Sequence, residues 1–360
     1  MKTMWPSTKL TDLLQIKYPI VQGPFGGGYS SVALTATVSN CGGLGSFGAQ
    51  SLTAAQILET TAAVREATTK PFAINLWVSD RDERVTTYTK EDYKKLVALF
   101  APLFNKFDIP IPAMPSELGP TYNEQVLAVL EARPPVFSFV YGIPAKEILK
   151  ECGKLNIKTI GAATTVDEAL ALQEAGVNVI VVSGLEAGGH RVSFLQDASE
   201  SLNGLAALVP QVAAKVTLPI IAAGGIANGN GIAAALMLGA DAVQIGTAFL
   251  ACNESNASPA HKAILFTEAA KHTTLSKVFT GRLARGIDNE LSKGFRSQQE
   301  QMAPFPIQAL FVRALNTSLA QKGITNTSTF WCGQSAGLMQ FKEAGLLFES
   351  LVNETEQLLR

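Results

Sequence analysis

The chain has 360 residues, 47% hydrophobic and 16% charged, enough apolar material for a sizeable buried core and too little charge for a disordered chain. Its 29 basic and 30 acidic residues leave a formal net charge of −1 with no long run of either sign. That excludes the electrostatic footprint of a nucleic-acid or anionic-membrane binder and favours a small-molecule substrate.

Residues 1–12 hold no continuous apolar segment ahead of a small-residue cleavage site, so no export signal is expected. The most apolar stretch, 231–252, is broken by Asp241, Gln244 and several glycines, and reads as a buried helix followed by a buried strand, without a membrane span. Cys41, Cys152, Cys252 and Cys332 lie far apart, with neither zinc spacing nor the density of a secreted disulfide scaffold. A cytoplasmic protein without a metal site is the expectation.

Short apolar runs then alternate with longer amphipathic ones. Strands are expected at 19–22, 43–47, 72–76, 136–140, 158–161, 177–183, 219–223 and 242–246. Runs such as Val179-Ile180-Val181-Val182 are continuously apolar, as strands buried on both faces should be. Eight such strands with intervening helices predict an α/β fold of the (β/α)8 TIM-barrel class. Two segments break the rhythm. Residues 77–133 are too long for a simple connection and read as an excursion over the barrel mouth with its own helix at 93–100. Residues 253–301 are polar and match no strand–helix unit, and amphipathic helices follow at 307–319 and 346–358. The expected organisation is a barrel over 1–252, a smaller inserted domain near the C-terminus over 253–320, and a segment over 321–360 returning to the barrel.

Strand seven ends in Ala223-Gly224-Gly225-Ile226 and strand eight in Gln244-Ile245-Gly246-Thr247. Loops after these two barrel strands often build a phosphate site, because N–H groups unobstructed by a Cβ can converge on an anion. The plainer alternative is that the glycines only permit tight turns. Gly43, Gly45 and Gly48 match the G-x-G-x-x-G spacing, but the string contains a strand where a dinucleotide fingerprint must follow one. Its small residues are read as close packing of strand two against a flat ligand.

Strand six leads into Ser183-Gly184-Leu185-Glu186-Ala187-Gly188-Gly189-His190-Arg191, at the catalytic edge of a barrel. His190 among converging glycines is the candidate acid, base or electrostatic group, against the alternative of a loop histidine with one structural hydrogen bond. His261 and His272 lack such a context and are read as surface residues. Gln22-Gly23-Pro24 opens a glycine-dense loop after strand one, and Asn75 at the end of strand three has a neutral amide suited to the pyrimidine edge of a flavin.

Together these blocks resemble the nitronate monooxygenase family over nearly the whole chain. The likeness includes Val38-Ser39-Asn40-Cys41-Gly42-Gly43-Leu44-Gly45, Gly239-Ala240-Asp241, Gly281-Arg282-Leu283-Ala284-Arg285 and Trp331-Cys332-Gly333-Gln334. The resemblance implies FMN held through Asn75, Gly188, Gly225 and the Gln244–Thr247 turn, with His190 catalytic. The full set of candidate cofactor contacts is Gln22, Gly23, Pro24, Asn75, Ser183, Gly188, Gly189, Gly224, Gly225, Gln244, Ile245, Gly246 and Thr247. The chain departs from the family pattern at Ser183, where members often carry glutamine, at Val192, where glycine is common, and in the length of 77–133.

The implied reaction is oxidation of an alkyl nitronate by O₂ to a carbonyl compound and nitrite, the partners being a nitronate or nitroalkane and O₂. His190 would remove the α-proton of a neutral nitroalkane or, protonated, stabilise the substrate anion. A flavin-dependent enoyl thioester reductase using NAD(P)H and a non-catalytic flavin-binding barrel are the rival readings. A homo-oligomer is left open.

Overall fold

The computed structural model describes residues 5–360. Eight parallel strands, β1 (Ile20–Gln22), β2 (Gly45–Gly48), β3 (Phe72–Trp77), β4 (Val136–Val140), β5 (Lys158–Ala163), β6 (Val179–Ser183), β7 (Ile220–Ala223) and β8 (Ala242–Ile245), pair in the order β1-β8-β7-β6-β5-β4-β3-β2. A bridge from Val21 to Leu44 brings β1 back to the start of β2 and rounds the sheet into a barrel. The strands fall within two residues of their expected limits, because runs apolar on both faces have no other low-energy placement.

The period-two alternation sorts each strand between two buried layers. Val21, Ala73, Val136, Ile160, Val181, Ile221 and Ala242 fill the interior, and Leu10 and Leu14 of the N-terminal helix Lys9–Leu14 plug it from below. Their neighbours, among them Ile74, Phe137, Ile180, Ile220, Val243 and Ile245, face the surrounding helices. The helix Ala344–Leu359 joins this outer layer through Leu347, Phe348 and Leu351, and Glu354 Oε2 accepts the Gly229 N–H at 2.8 Å.

A second hydrophobic core lies apart from the barrel and unites both irregular segments. The helix Lys90–Phe107 of the β3–β4 excursion packs on the helix Ile307–Gln321. Phe100 stacks on Phe295 with ring centroids 4.2 Å apart and meets Phe311 edge-on at 4.9 Å. Each fully buried phenylalanine contributes roughly 2–3 kcal/mol of burial free energy, so this cluster anchors the excursion firmly. Beyond Trp77 no excursion residue lines the central cavity, whose outer wall is formed by the Ile307–Gln321 helix. The excursion therefore supports that wall and does not itself cover the mouth.

The polar stretch after β8 is not irregular throughout. Thr273–Ser276 and Ala284–Ile287 form an antiparallel pair, and Gly189–His190 adds as a third strand with His190 opposite Ala284 and Gly189 opposite Arg285. Single-sequence patterning misses such strands because four residues hold only two alternations. Among the described residues no helix is long and apolar enough to cross a membrane.

Candidate active site

A cavity of about 640 Å³ opens over the C-terminal ends of the barrel strands. Strand alternation decides which residues reach it. Asn75 and Trp77 share the inward face of β3, Ser183 ends the inward face of β6, and Gln244 and Gly246 lie on the inward side of β8. Gly23, Pro24, Gly188, Gly189, His190, Gly224, Gly225 and Thr247 complete the expected set along the wall. Two expected contacts are absent from it. Ile245 sits between Gln244 and Gly246 and points into the helix layer, and Gln22 is 0% exposed, its Oε1 accepting the Ser46 N–H at 2.9 Å. Both follow from the one-residue offset that moves a strand side chain to the other face.

The turns after β7 and β8 carry free donors. The N–H groups of Gly225, Ile226 and Thr247, all on the cavity wall, donate to no acceptor among the described residues. Gly224 (φ +125°) and Gly225 (φ +68°) occupy the left-handed region, so they are needed for the turn as well as for the N–H convergence. Unpaired donors converging on a concave wall form an anion site. Nearby, Asn75 Nδ2 donates to Ser138 Oγ at 3.0 Å, which fixes the amide and leaves Oδ1 without a protein donor. These features fit a phosphorylated, planar, hydrogen-bonding cofactor.

The glycines of the second strand have a different purpose. A Cβ at Gly43 would meet Phe348 and the Ile20 carbonyl at 2.6 Å, one at Gly45 the Thr35 carbonyl at 1.9 Å, and one at Gly48 the Phe25 carbonyl at 2.5 Å. They admit the protein's own backbone and aromatic rings, not a flat ligand. Gly188 likewise admits Cys332 and Gly333, whose backbone lies 2.6 Å from where its Cβ would stand.

His190 is held by strand pairing rather than by a free loop. Arg191 next to it is buried and donates to the carbonyls of Ser183 (2.6 Å), Thr164 (3.3 Å) and Ser201, and its N–H donates to Leu283 O at 2.8 Å. The following loop is tied by Glu168, 0% exposed, which accepts from Thr164 Oγ1 and from the Phe194 N–H, each at 2.6 Å, and from the Leu195 N–H at 3.1 Å. The imidazole itself stands in an aromatic box: Trp77 lies 4.9 Å away, Trp331 5.3 Å, Phe305 6.3 Å and Tyr141 6.4 Å, centroid to centroid. Burial, assisted by the Arg282 cation, pushes the His190 pKa down to about 3, so the ring is neutral at physiological pH.

Its tautomer follows from one contact. His190 Nε2 lies 2.9 Å from Thr280 Oγ1, and that hydroxyl donates to the Arg282 carbonyl at 3.2 Å. With its proton so engaged, the hydroxyl accepts from Nε2–H, and Nδ1 is left as the basic nitrogen, with no donor among the described residues.

The full-length pattern is decisive for family membership: the nitronate monooxygenase family model matches residues 7–354. The chain belongs to the nitronate monooxygenase family. It is 36% identical over 356 residues to a "Probable nitronate monooxygenase" of Staphylococcus saprophyticus, covering 98% of this chain and 99% of that protein. The solved nitroalkane oxidase of Streptomyces ansochromogenes superposes with a TM-score of 0.85 at 31% identity, over 97% of this chain and 98% of that one. FabK of Thermotoga maritima follows at TM-score 0.75 and 26% identity, over 98% and 97%. As a member of the nitronate monooxygenase family, the chain is an oxidoreductase.

Several wall residues carried no sequence-level assignment. Trp77 could have been found two residues beyond Asn75 on the same strand face. Thr280 and Phe305 come from segments without a strand–helix rhythm and gave no positional signal, and Trp331 entered only as part of the family resemblance, with no site role. His261, expected at the surface, is 1% exposed: its Nε2 lies 2.9 Å from the Trp331 carbonyl, a bond that offsets part of the burial cost.

Proposed function

We propose that this protein is an FMN-dependent nitronate monooxygenase that oxidises alkyl nitronates with O₂ to a carbonyl compound and nitrite. The observation that carries the reading is one cavity holding both a cradle of unpaired N–H donors after β7 and β8 and a neutral imidazole with a free Nδ1. FMN, when bound, supplies the electron-transfer and O₂ chemistry. The N–H groups of Gly225, Ile226 and Thr247 would hold its phosphate, and Asn75 Oδ1 would accept from the ring system.

For a neutral nitroalkane, His190 Nδ1 takes the α-proton and generates the nitronate in place. Thr280 keeps the opposite nitrogen protonated during that transfer. Trp77, Phe305 and Trp331 border the imidazole with apolar ring surface, which limits water around it and disfavours its charged form. A neutral ring also argues for proton abstraction over charge stabilisation as the resting role of His190. The positions of Ser183, Gly23, Pro24, Gln244, Gly188 and Gly189 on the wall support their role as further flavin contacts.

The enoyl thioester reductase reading is favoured by a single feature, the extension of the cavity along Ala309, Val312, Asn316 and Ala320, which offers room for an elongated chain. One assay panel on the purified protein tests both. The monooxygenase reading expects FMN on denaturation and nitrite from propionate 3-nitronate under air. Stoichiometric FAD, or anaerobic bleaching by NADPH coupled to enoyl thioester reduction without nitrite release, would overturn it.

A further inference from the structure

Arg282 does not line the cavity, yet three segments converge on it. Its Nε donates to Asp82 Oδ1 at 2.7 Å, Nη1 to the Ser79 carbonyl at 2.9 Å and Nη2 to Ser79 Oγ at 3.0 Å. The guanidinium carbon lies 4.3 Å from the Tyr141 ring centroid, 4.6 Å from Phe305 and 5.7 Å from Trp77. Asp82 closes the cluster by accepting the Phe305 N–H at 2.8 Å through Oδ2. All three rings belong to the four-ring box around His190, and the Arg282 carbonyl accepts from the Thr280 hydroxyl that faces His190 Nε2. Tyr141 reaches the cluster from a left-handed backbone (φ +61°), unusual for a bulky residue and retained only where surroundings over-determine it.

We propose that Arg282 is a positioning residue for His190: its guanidinium assembles the aromatic box from three separate segments and sets a permanent positive charge beside the imidazole. Arg282 is the charged group that acts on the imidazole, and the other titratable groups nearby are engaged elsewhere. Asp82 is committed to Arg282, Arg191 to three carbonyls, and Arg285 donates to the Leu185 carbonyl and Thr273 Oγ1. Burial raises both the Tyr141 phenol and the Cys332 thiol, the latter to about 12, so both are neutral. The proposal rests on His190 as the base, but its test does not need turnover.

The test is the imidazole titration, followed by NMR of the purified full-length protein labelled with ¹⁵N-histidine. Three histidines give few resonances, and His190→Asn identifies the relevant one. In Arg282→Met the onset of His190 protonation should move upward by on the order of one pH unit, while in Arg282→Lys it should stay in place. The acid limb of turnover with a neutral nitroalkane should move with it. An unmoved titration in a folded Arg282→Met protein would overturn the proposal, and so would equal shifts in both variants. Should Arg282→Met fail to fold by circular dichroism, Asp82→Asn removes the counter-charge and keeps the side chain's size and one of its two acceptor oxygens: protonation should then need lower pH, and an unmoved or upward-shifted titration would overturn the proposal. If His190→Asn retained full turnover while Arg282→Met shifted the titration, the base assignment would fall and the role of Arg282 would stand.

Discussion

Thr280 Oγ1 stands 2.9 Å from His190 Nε2, bridging a residue that follows β6 to one ninety positions later in the small antiparallel unit. This contact bears on the base role proposed for His190, since it places the ring proton on Nε2 and leaves Nδ1 with its lone pair.

Thr280→Val keeps the shape and removes the hydroxyl. Losing one such hydrogen bond, worth about 1–1.5 kcal/mol, should lower turnover of a neutral nitroalkane on the order of tenfold. Thr280→Ser should restore it. Steady-state kinetics on both variants decide the matter, and a Ser variant as impaired as Val would point to packing by the methyl group instead.

His190→Asn should keep the flavin, because the imidazole faces the aromatic box and the N–H cradle belongs to other turns. Turnover of a neutral nitroalkane should fall on the order of 10²–10⁴-fold. Preformed nitronate, already without its α-proton, should suffer less. Comparable losses with both substrates would assign His190 to orientation or charge stabilisation.

Gly225→Asp should release FMN, since a carboxylate at the turn opposes the phosphate and its backbone is held at φ +68°. Gly225→Ala carries the conformational strain and the 3.2 Å approach to Glu186 Cβ without the charge. Flavin affinity measured by fluorescence should therefore rank wild type above Ala and Ala well above Asp. Equal affinity in the Ala and Asp variants would leave strain as the whole effect.

The stability of the protein should fall on acidification below neutrality. His190 has a folded pKa of about 3 against about 6.5 when unfolded, so between those values the unfolded chain binds the additional proton. Nothing is lost above pH 6.5, and the loss grows as pH drops toward 3. Burial lowers His261 as well and adds in the same direction. Urea midpoints at pH 7 and pH 5 should show a smaller drop for His190→Asn than for wild type, and identical drops would contradict the depressed folded pKa.

The barrel was legible because its signals are local. Continuous runs such as 179–182 and 220–222 cannot be placed except between two apolar layers, and glycine pairs at 224–225 and 188–189 mark turns wherever they occur. The same local pattern picked out Asn75 on β3 and His190 in the segment after β6. What the sequence could not determine was partnership. Ile245 and Gln22 are one position out of phase with the cavity, which strand alternation predicts once the cavity-facing side is known, and only barrel closure shows which side that is. Thr280, Arg282, Phe305 and Trp331 meet His190 only because two distant irregular segments share the Phe100–Phe311 core, which carries them to the barrel mouth. Residue types and turn chemistry follow from short-range sterics and periodicity, whereas the tautomer, the buried charge and the aromatic box depend on contacts between residues far apart in sequence. Those contacts exist only once the chain has closed on itself.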